Sequence, residues 1–284
     1  MQKFAVIDIG SNSVRLMLVA DGKVLYKDLC TTRLGDGIAD TRLLKDDAIS
    51  RTAQAVVTFY ESAKTDGAEQ VFAFATAAVR SAKNGQAFVD KVKALCGLTV
   101  EVISGEEEAE LGILGALGNQ DGALIDIGGA STELIIKEQN TLTYKKSVDI
   151  GVVRIKDAGE NAVKLMQNAL IEFGNVPLKS AVYAIGGTAT TLASQVLRLT
   201  VYDSHIVSGT KITIAQIISL IEKWQGMSVQ EIARLPCMPK GRADVILGGT
   251  VWLVALMKHL KITEIIVSDS DNLEGYAKKR GLLE

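Results

Sequence analysis

Cysteine, histidine and proline are scarce in this 284-residue chain, and each scarcity excludes a class of protein. The three cysteines are widely spaced and contain no CxxC pair, so free thiols in a reducing compartment are expected in place of a disulfide framework. Two histidines exclude a histidine-rich zinc site and argue against a histidine nucleophile. With only three prolines, the chain has no proline-rich hinge.

The chain also lacks an excess of either charge and a long apolar run. A net charge of −2 argues against a general basic surface, so no nucleic-acid partner is predicted. The most apolar stretch, residues 245–257, is too short to cross a bilayer. The first predicted strand begins within a few residues of Met1 and leaves no room for a secretory signal. These absences predict a cytoplasmic protein with no membrane partner.

What remains is an ordinary soluble composition, 48% apolar and 23% charged, over a length typical of two domains. Strand and helix patterns alternate throughout, which favours an α/β fold. Residues 119–122 are polar and turn-prone, and they are the best candidate for a linker. We therefore predict domains over residues 1–119 and 120–284.

The sequence Asp-Ile-Gly occurs twice, at residues 8–10 and 126–128, each time between two apolar runs. This order predicts a strand, a tight glycine turn rich in hydroxyl groups, and a second strand. Glycine lets backbone N–H groups close on an anion, and Ser or Thr hydroxyls can donate further bonds. An aspartate beside such a turn repels phosphate unless a cation lies between them, and Mg²⁺ is the usual one. One copy alone could be simple hairpin chemistry; two copies predict a phosphate chain held between two related domains.

Four glutamates within residues 106–110 open a predicted helix. Ser104 followed by Glu107 is a capping box, and acids in a first turn favour the helix dipole, which together explain the first two glutamates. Glu108 lies three residues before Leu111 and so tilts toward the apolar side, where a carboxylate needs a reason. A base that activates water in a cleft would be such a reason.

The two hairpins and the glutamate run belong to a longer series of motifs. In chain order these are DIGSNS (8–13), RLGDG (33–37), ATAAVR (75–80), ISGEEEA (103–109), DIGG (126–129), GTAT (187–190), GRADVI (241–246) and VSD (267–269). Together they resemble the exopolyphosphatase and guanosine pentaphosphate phosphohydrolase (Ppx/GppA phosphatase) family in its short two-domain form. The resemblance extends from about residue 3 to residue 276.

The resemblance implies a duplicated ribonuclease-H-like fold, as in actin, sugar kinases and heat-shock ATPases. Two such domains would face each other across a phosphate-binding cleft. The first would contain phosphate loop 1 and the catalytic glutamate, and the second would contain phosphate loop 2. The resemblance also allows the C-terminal residues to return and pack on the first domain.

The resemblance further implies roles for individual residues. Glu108 matches the catalytic base and Arg80 a cleft arginine. The implied phosphate-binding residues are Ser11, Asn12, Ser13 and Arg15 in the first domain and Gly128, Gly129, Ser131 and Thr132 in the second. The implied positions near Mg²⁺, or another divalent cation such as Mn²⁺, are Asp126 and Glu133, with Asp8 as the counterpart in the first loop.

Three positions depart from the family pattern. Ala130 stands where the second loop has its third glycine, Ser270 replaces the glycine of a Ser-Asp-Gly motif, and Leu273 replaces an arginine near its end. Glu274 and Gly275 of that region remain. These departures bear on catalytic efficiency and substrate choice more than on the fold.

The predicted activity is Mg²⁺-dependent hydrolysis of the terminal phosphoanhydride in inorganic polyphosphate or guanosine pentaphosphate, by water that Glu108 activates. One alternative is an ATP-dependent small-molecule kinase of the same fold, which would need an aspartate base in place of Glu108. Another is a non-catalytic sensor that binds guanosine tetra- or pentaphosphate or polyphosphate. The sequence does not choose among polyphosphate, guanosine pentaphosphate and nucleoside triphosphates. The resemblance suggests a homodimer.

Overall fold

Strands and helices alternate along the chain. A computed structural model describes residues 2–176, 178 and 180–283, apart from the side chains of residues 39 and 40. Within the described residues, no helix is long and apolar enough to cross a membrane. The strands are β1 (Lys3–Ile9), β2 (Ser13–Ala20), β3 (Lys23–Thr31), β4 (Gln70–Ala75), β5 (Val100–Val102), β6 (Gly122–Ile127), β7 (Thr132–Glu138), β8 (Thr141–Val148), β9 (Val182–Ile185), β10 (Lys211–Thr213) and β11 (Glu264–Val267). The helices are α1 (Ile38–Thr41), α2 (Asp46–Thr65), α3 (Ala77–Ser81), α4 (Gly85–Cys96), α5 (Gly105–Ala116), α6 (Val152–Ala158), α7 (Ala162–Phe173), α8 (Gly186–Val196), α9 (Ser204–Val207), α10 (Ile214–Gln225), α11 (Val229–Ala233), α12 (Ile246–His259) and α13 (Asn272–Lys279).

The chain divides into two compact units. One consists of Met1–Gly115 together with Asn272–Glu284, and the other of Ala116–Asp271. The sequence predicts its boundary between residues 119 and 120 and assigns everything after it to the second domain. Residues 1 and 284, the outer ends of the predicted domains, lie outside the described residues.

The first unit contains a five-stranded sheet in the order β3-β2-β1-β4-β5. Strands β1, β2 and β3 are antiparallel neighbours, whereas β1, β4 and β5 run parallel. Side chains of β1 alternate between two faces, so Ala5 and Ile7 join one core cluster while Val6 joins another that includes Leu111 of α5. By the same alternation, the side chain of Asp8 lies on the α5 side of this sheet.

The second unit repeats this arrangement with one strand added. Its sheet has the order β10-β11-β9-β6-β7-β8. Strands β6, β7 and β8 are antiparallel, β6, β9 and β11 are parallel, and β10 adds an antiparallel edge. Without β10, the order and the directions are those of the first sheet. The predicted duplicated ribonuclease-H-like α/β fold is confirmed, and the hairpins β1–β2 and β6–β7 occupy the same place in it.

Helix α13, near the C-terminus, belongs to the first unit and packs beside its central strands. Tyr276 stacks on Phe74 of β4, with ring centroids 4.8 Å apart, and its hydroxyl donates to Glu101 of β5 at 2.9 Å. Glu274 forms an ion pair with Lys27 of β3. These contacts hold the end of the chain on the face of the sheet that also receives α5.

Helix α13 packs tightly against α5 at Gly275. A Cβ built on this glycine would overlap the backbone carbonyl of Leu111, one turn after Glu108 in α5. We therefore expect Gly275→Ala to force the two helices apart and to lower the free energy of unfolding by about 1–3 kcal/mol, the usual cost of overpacking. Chemical denaturation measures this directly.

Gly226→Ala is the matched control for that substitution. Gly226 has φ −87°, and the nearest atom to its added Cβ is 3.9 Å away, so alanine fits there. A Gly275→Ala variant as stable as wild type and as the Gly226→Ala control would contradict the close packing of α13 on α5.

Candidate active site

Loop 1, residues 10–12 between β1 and β2, is closed by a hydrogen bond from Gly10 N to Ser13 O at 3.0 Å. The carbonyls of Ser11 and Asn12 accept hydrogen bonds of 2.8 to 3.0 Å from backbone amides of the segment 32–35. The C=O and N–H groups of one trans peptide point in opposite directions. The amides of Asn12 and Ser13, which share peptide planes with these two carbonyls, therefore point away from the segment 32–35. The predicted phosphate ligands Ser11 and Asn12 of this loop and Ser13 at the start of β2 are all buried. Asn12 Oδ1 has no hydrogen-bond partner within the described part of the chain.

Loop 2, residues 128–131 between β6 and β7, repeats this geometry. Gly128 N donates to Ser131 O at 3.0 Å. The consecutive carbonyls of Gly128, Gly129 and Ala130 all accept hydrogen bonds from α6, at 2.8 to 3.0 Å. The amides of residues 129, 130 and 131 belong to the same three peptide planes, so they point away from α6. No group among the described residues accepts a hydrogen bond from them.

Thr132, predicted as a phosphate ligand, has a different role in the structure. Its Oγ1 donates to Ile150 O at 2.5 Å and accepts from Trp252 Nε1 at 3.0 Å, and the residue is fully buried. The hydroxyl hydrogen is therefore used inside the second unit. Thr132 fixes the start of β7 to the core, which leaves residues 129–131 as the part of loop 2 with outward amides.

The three departures from the family pattern each fit their surroundings. Ala130 is buried with a negative φ, so the loop needs no glycine conformation at that position. Leu273 is buried in the cluster that α13 shares with Leu111. Ser270 N donates to Ser268 Oγ at 3.2 Å, and the same hydroxyl donates to Ser270 O at 2.9 Å. The fold therefore accommodates all three replacements.

The aspartate before each loop lies opposite a different residue in the two units. In the first unit Asp8 lies opposite Arg15, whose Nε donates to the carboxylate at 3.1 Å. The sequence predicts Asp8 near a cation and Arg15 on a phosphate, whereas the structure joins them in an ion pair. In the second unit Asp126 lies opposite Glu133, so two carboxylates share one face of the hairpin.

This carboxylate pair is the best candidate for a divalent cation site. Glu133 Oε1 accepts a hydrogen bond from Ser147 Oγ at 2.6 Å, and the carboxylate of Asp126 lies against Gly186 at the start of α8. Like charges directly opposite each other destabilise a sheet unless a cation compensates them. In the described part of the chain, no three His, Cys, Asp or Glu side chains are grouped to hold a metal. Mg²⁺ is usually held by one or two carboxylates together with water and phosphate oxygens, so a pair of carboxylates is the number of side chains that it needs.

Glu108 occupies the first turn of α5. The predicted capping box is confirmed, because Glu107 N donates to Ser104 Oγ and Ser104 N donates to Glu107 Oε2, both at 3.1 Å. The box fixes the start of the helix and so directs Glu108 toward the sheet. Glu108 is only 7% exposed, and its Oε2 accepts a hydrogen bond from Arg80 Nη1 at 2.9 Å.

The protonation of Glu108 depends on three neighbours as well as on burial. Burial raises the pKa of Glu108, and the negative charge of Asp8 raises it further. The Arg80 guanidinium, by its charge and its hydrogen bond, and a hydrogen bond with Thr76 lower it. Arg80 is itself fixed by a 3.1 Å hydrogen bond to Ile103 O. The carboxylate is thus held beside one cation, with a pKa above that of an ordinary glutamate.

Sequence reasoning assigned no role to several residues around this site. Ser147 donates a hydrogen bond to Glu133. The pairing of β7 with β8 places the two residues opposite each other, so a correct strand register would have predicted this contact. Thr76 lies in the ATAAVR motif at residues 75–80 and forms a hydrogen bond with Glu108. Arg154 of α6 donates a hydrogen bond to Ala130 O of loop 2, and no local sequence pattern predicts that contact.

Comparison with known sequences places the chain among the Ppx/GppA phosphatases. The profile of the Ppx/GppA phosphatase family matches residues 19–278. Exopolyphosphatase 2 of Mycobacterium tuberculosis is 31% identical, over 98% of this chain and 98% of that protein. The guanosine-5'-triphosphate,3'-diphosphate pyrophosphatase of Photobacterium profundum is 28% identical, over 99% of this chain and 58% of that protein.

Solved structures agree with the sequence comparison. The crystal structure of an exopolyphosphatase-like protein superposes with a TM-score of 0.90 at 26% identity, covering 98% of both chains. The Aquifex aeolicus PPX-GPPA enzyme gives a TM-score of 0.78 at 29% identity, covering 98% of this chain and 99% of that one.

Proposed function

Because the chain belongs to the Ppx/GppA phosphatase family, we propose that it hydrolyses the terminal phosphoanhydride of inorganic polyphosphate or of guanosine pentaphosphate. The names of its relatives support both substrate classes. The observation that most favours a phosphate substrate is loop 2, where three consecutive amides point away from α6 beside a pair of carboxylates.

The three outward amides of loop 2 are suited to an anion. Successive backbone N–H groups that converge on one side of a loop form an anion-binding concavity. We propose that the amides of residues 129–131 bind phosphate oxygens, with the hydroxyl of Ser131 as a further donor. In the first unit, the buried side chains of Ser11, Asn12 and Ser13 are proposed to bind phosphate at loop 1 and the start of β2.

Asp126 and Glu133 are proposed to hold Mg²⁺, or Mn²⁺ in its place. The residues present fit such an ion, because two carboxylates lie opposite each other on one face of the hairpin. When bound, the cation would neutralise charge on the phosphate oxygens. Ser147 orients Glu133 for this purpose through its 2.6 Å hydrogen bond. Asp8, by contrast, is proposed to orient Arg15.

Glu108 is proposed as the base that takes a proton from the attacking water. As the new P–O bond forms at the terminal phosphorus, the bridging P–O bond breaks and the shortened chain leaves with its electron pair. A raised pKa suits a base that works near neutral pH. Arg80 holds the Glu108 carboxylate in place at 2.9 Å and adds positive charge near the reacting oxygens. Phosphoryl transfer depends mostly on positioning and electrostatics, so these few groups suffice.

The pH dependence of the reaction follows from the Glu108–Arg80 contact. A glutamate must be ionised to accept a proton, so kcat/KM should rise with pH through the pKa of Glu108. Removing Arg80 removes the largest influence that lowers this pKa. We therefore expect Arg80→Met to move the acidic limb of the kcat/KM profile to higher pH, and Arg80→Lys, which keeps the charge, to move it less. An acidic limb at the same pH in all three proteins would argue against Glu108 as the base.

Phosphate release assays would test the proposed function and rank its substrates. We would compare tripolyphosphate, long-chain polyphosphate, guanosine pentaphosphate and ATP, each with Mg²⁺ and with EDTA. Mg²⁺-dependent release from any of the first three supports the proposal, and the fastest identifies the preferred substrate. Binding without release from any of them would indicate a sensor. ATP consumption that requires an acceptor molecule would indicate a kinase.

A further inference from the structure

Loop 2 is held from behind by the first turn of α6. The amides of Val152 and Val153 donate to the carbonyls of Gly128 and Gly129, at 3.0 and 2.8 Å. Arg154, the next residue, completes the series through Nε, which donates to Ala130 O at 2.8 Å. Three consecutive carbonyls of the loop thus meet three consecutive residues of the helix.

The two helix amides have no other possible partner within α6. The first N–H groups of an α-helix lack intrahelical acceptors, and the residue before α6, Gly151, offers no side chain to cap them. Loop 2 therefore caps α6, and α6 in turn fixes the direction of two loop carbonyls. The third carbonyl, that of Ala130, accepts its hydrogen bond from the side chain of Arg154, the one donor that it has in the described part of the chain.

Loop 1 provides an internal comparison for this third contact. By position in the repeated hairpin, Asn12 of loop 1 corresponds to Ala130 of loop 2. The carbonyl of Asn12 accepts from two backbone amides, those of Thr32 and Arg33, at 3.0 and 2.9 Å. The second unit has no backbone donor at this carbonyl among its described residues and uses a guanidinium instead.

We propose that Arg154 is a positioning residue that aims the amides of loop 2 at a bound phosphate. The inference rests on the proposed function of loop 2 as an anion site. Since Ala130 C=O and Ser131 N–H share a peptide plane, the hydrogen bond to Ala130 fixes where the Ser131 amide points. Arg154 is suited to this because its side chain is only 13% exposed and its guanidinium is a rigid planar donor.

Gly151 makes the contact possible by letting α6 approach the loop. A Cβ on Gly151 would lie 2.5 Å from the carbonyl carbon and oxygen of Gly129. The φ of Gly151 is −153°, a value open to any residue, so the constraint is space and not backbone conformation. Gly151→Ala should therefore move the loop off α6 without any change at Arg154.

Amide hydrogen exchange offers a readout that does not depend on activity. Among the described residues, the hydrogen-bond acceptors of the Val152 and Val153 amides are the loop 2 carbonyls of Gly128 and Gly129. The amide of Ile155 donates instead to Gly151 O at the start of the helix and serves as an internal reference. A hydrogen bond from a charged donor shifts such an equilibrium by about 10- to 100-fold. In Arg154→Lys and Arg154→Met we expect exchange at Val152 and Val153 to rise by at least about 10-fold, with Ile155 unchanged.

Kinetics with tripolyphosphate then distinguish positioning from simple charge. We expect KM to rise in both Arg154 variants, with a smaller change in kcat, because both side chains lack the Nε donor. Lysine keeps the positive charge, so a raised KM in Arg154→Lys reports the loss of the donor and not of the charge. Lys164→Met, on the neighbouring α7, is the control for loss of one positive charge. Protected Val152 and Val153 amides in Arg154→Lys, or a wild-type KM in that variant, would overturn the proposal. A third outcome separates the two proposals. If exchange is faster in the Arg154 variants but the wild-type protein does not bind tripolyphosphate, the contact between Arg154 and loop 2 is upheld and the proposed function is overturned.

Discussion

Glu108→Gln is expected to lower the rate of phosphate release by about 10²- to 10⁴-fold, the usual contribution of a general base. Glutamine keeps the size of the side chain and an oxygen that can accept the 2.9 Å hydrogen bond from Arg80, but it cannot take a proton from water. Affinity for tripolyphosphate should stay close to that of the wild type, because the proposed mechanism gives Glu108 a role toward the attacking water and none in holding the phosphates. Steady-state phosphate release and calorimetric titration give the two quantities separately.

Glu107→Gln is the matched control for this experiment. Glu107 is the neighbouring glutamate, and glutamine can replace it in the capping box with Ser104. We expect nearly wild-type turnover from it. Near-normal turnover in Glu108→Gln would remove the base assignment, and an equal loss in both variants would point to damage to α5 instead of lost chemistry.

Asp126→Asn is expected to have the second largest effect, a loss of about 10²- to 10³-fold at a fixed Mg²⁺ concentration. Metal ions contribute several kcal/mol of charge stabilisation, and each 1.4 kcal/mol is a factor of ten in rate. The amide would also leave Glu133 as the sole carboxylate of the cross-strand pair, so more Mg²⁺ should be needed for half-maximal activity. A titration of rate against Mg²⁺, repeated with Mn²⁺, measures both effects.

Asp121→Asn in the same unit controls for the loss of one carboxylate. Asp121 is exposed and accepts hydrogen bonds from the amides of Gln139 and Asn140 at the tip of the β7–β8 hairpin, contacts that asparagine can partly keep. Its rate and Mg²⁺ requirement should match those of the wild type. An unchanged Mg²⁺ requirement in Asp126→Asn would contradict the proposed cation site.

The parts of this site that follow from local sequence were predictable. Both hairpins can be predicted from Asp-Ile-Gly between two apolar runs, because the two strands and the glycine turn are adjacent in the sequence. The capping box of Ser104 and Glu107 and the inward direction of Glu108 follow from helix spacing alone. The duplication of the fold follows from the repetition of the hairpin.

Contacts between distant residues account for what the sequence did not predict. Thr132 reads as a loop hydroxyl until Trp252, 120 residues later, is known to donate to it. The ion pair of Asp8 and Arg15 needs the strand register, which places them opposite each other. Arg154 contacts Ala130 of loop 2, which lies 24 residues earlier in the sequence. That contact depends on how closely α6 packs against the loop, and no residue pattern specifies this distance.

The most direct test of the proposed mechanism is hydrolysis of tripolyphosphate in H₂¹⁸O with Mg²⁺ present. Attack by water on the terminal phosphorus must place ¹⁸O in the released orthophosphate and leave pyrophosphate unlabelled, which mass spectrometry distinguishes. We predict label in orthophosphate only, with release abolished by EDTA and strongly reduced in Glu108→Gln. Label in pyrophosphate, or release that is independent of Mg²⁺, would contradict attack on the terminal phosphate by water that Glu108 activates.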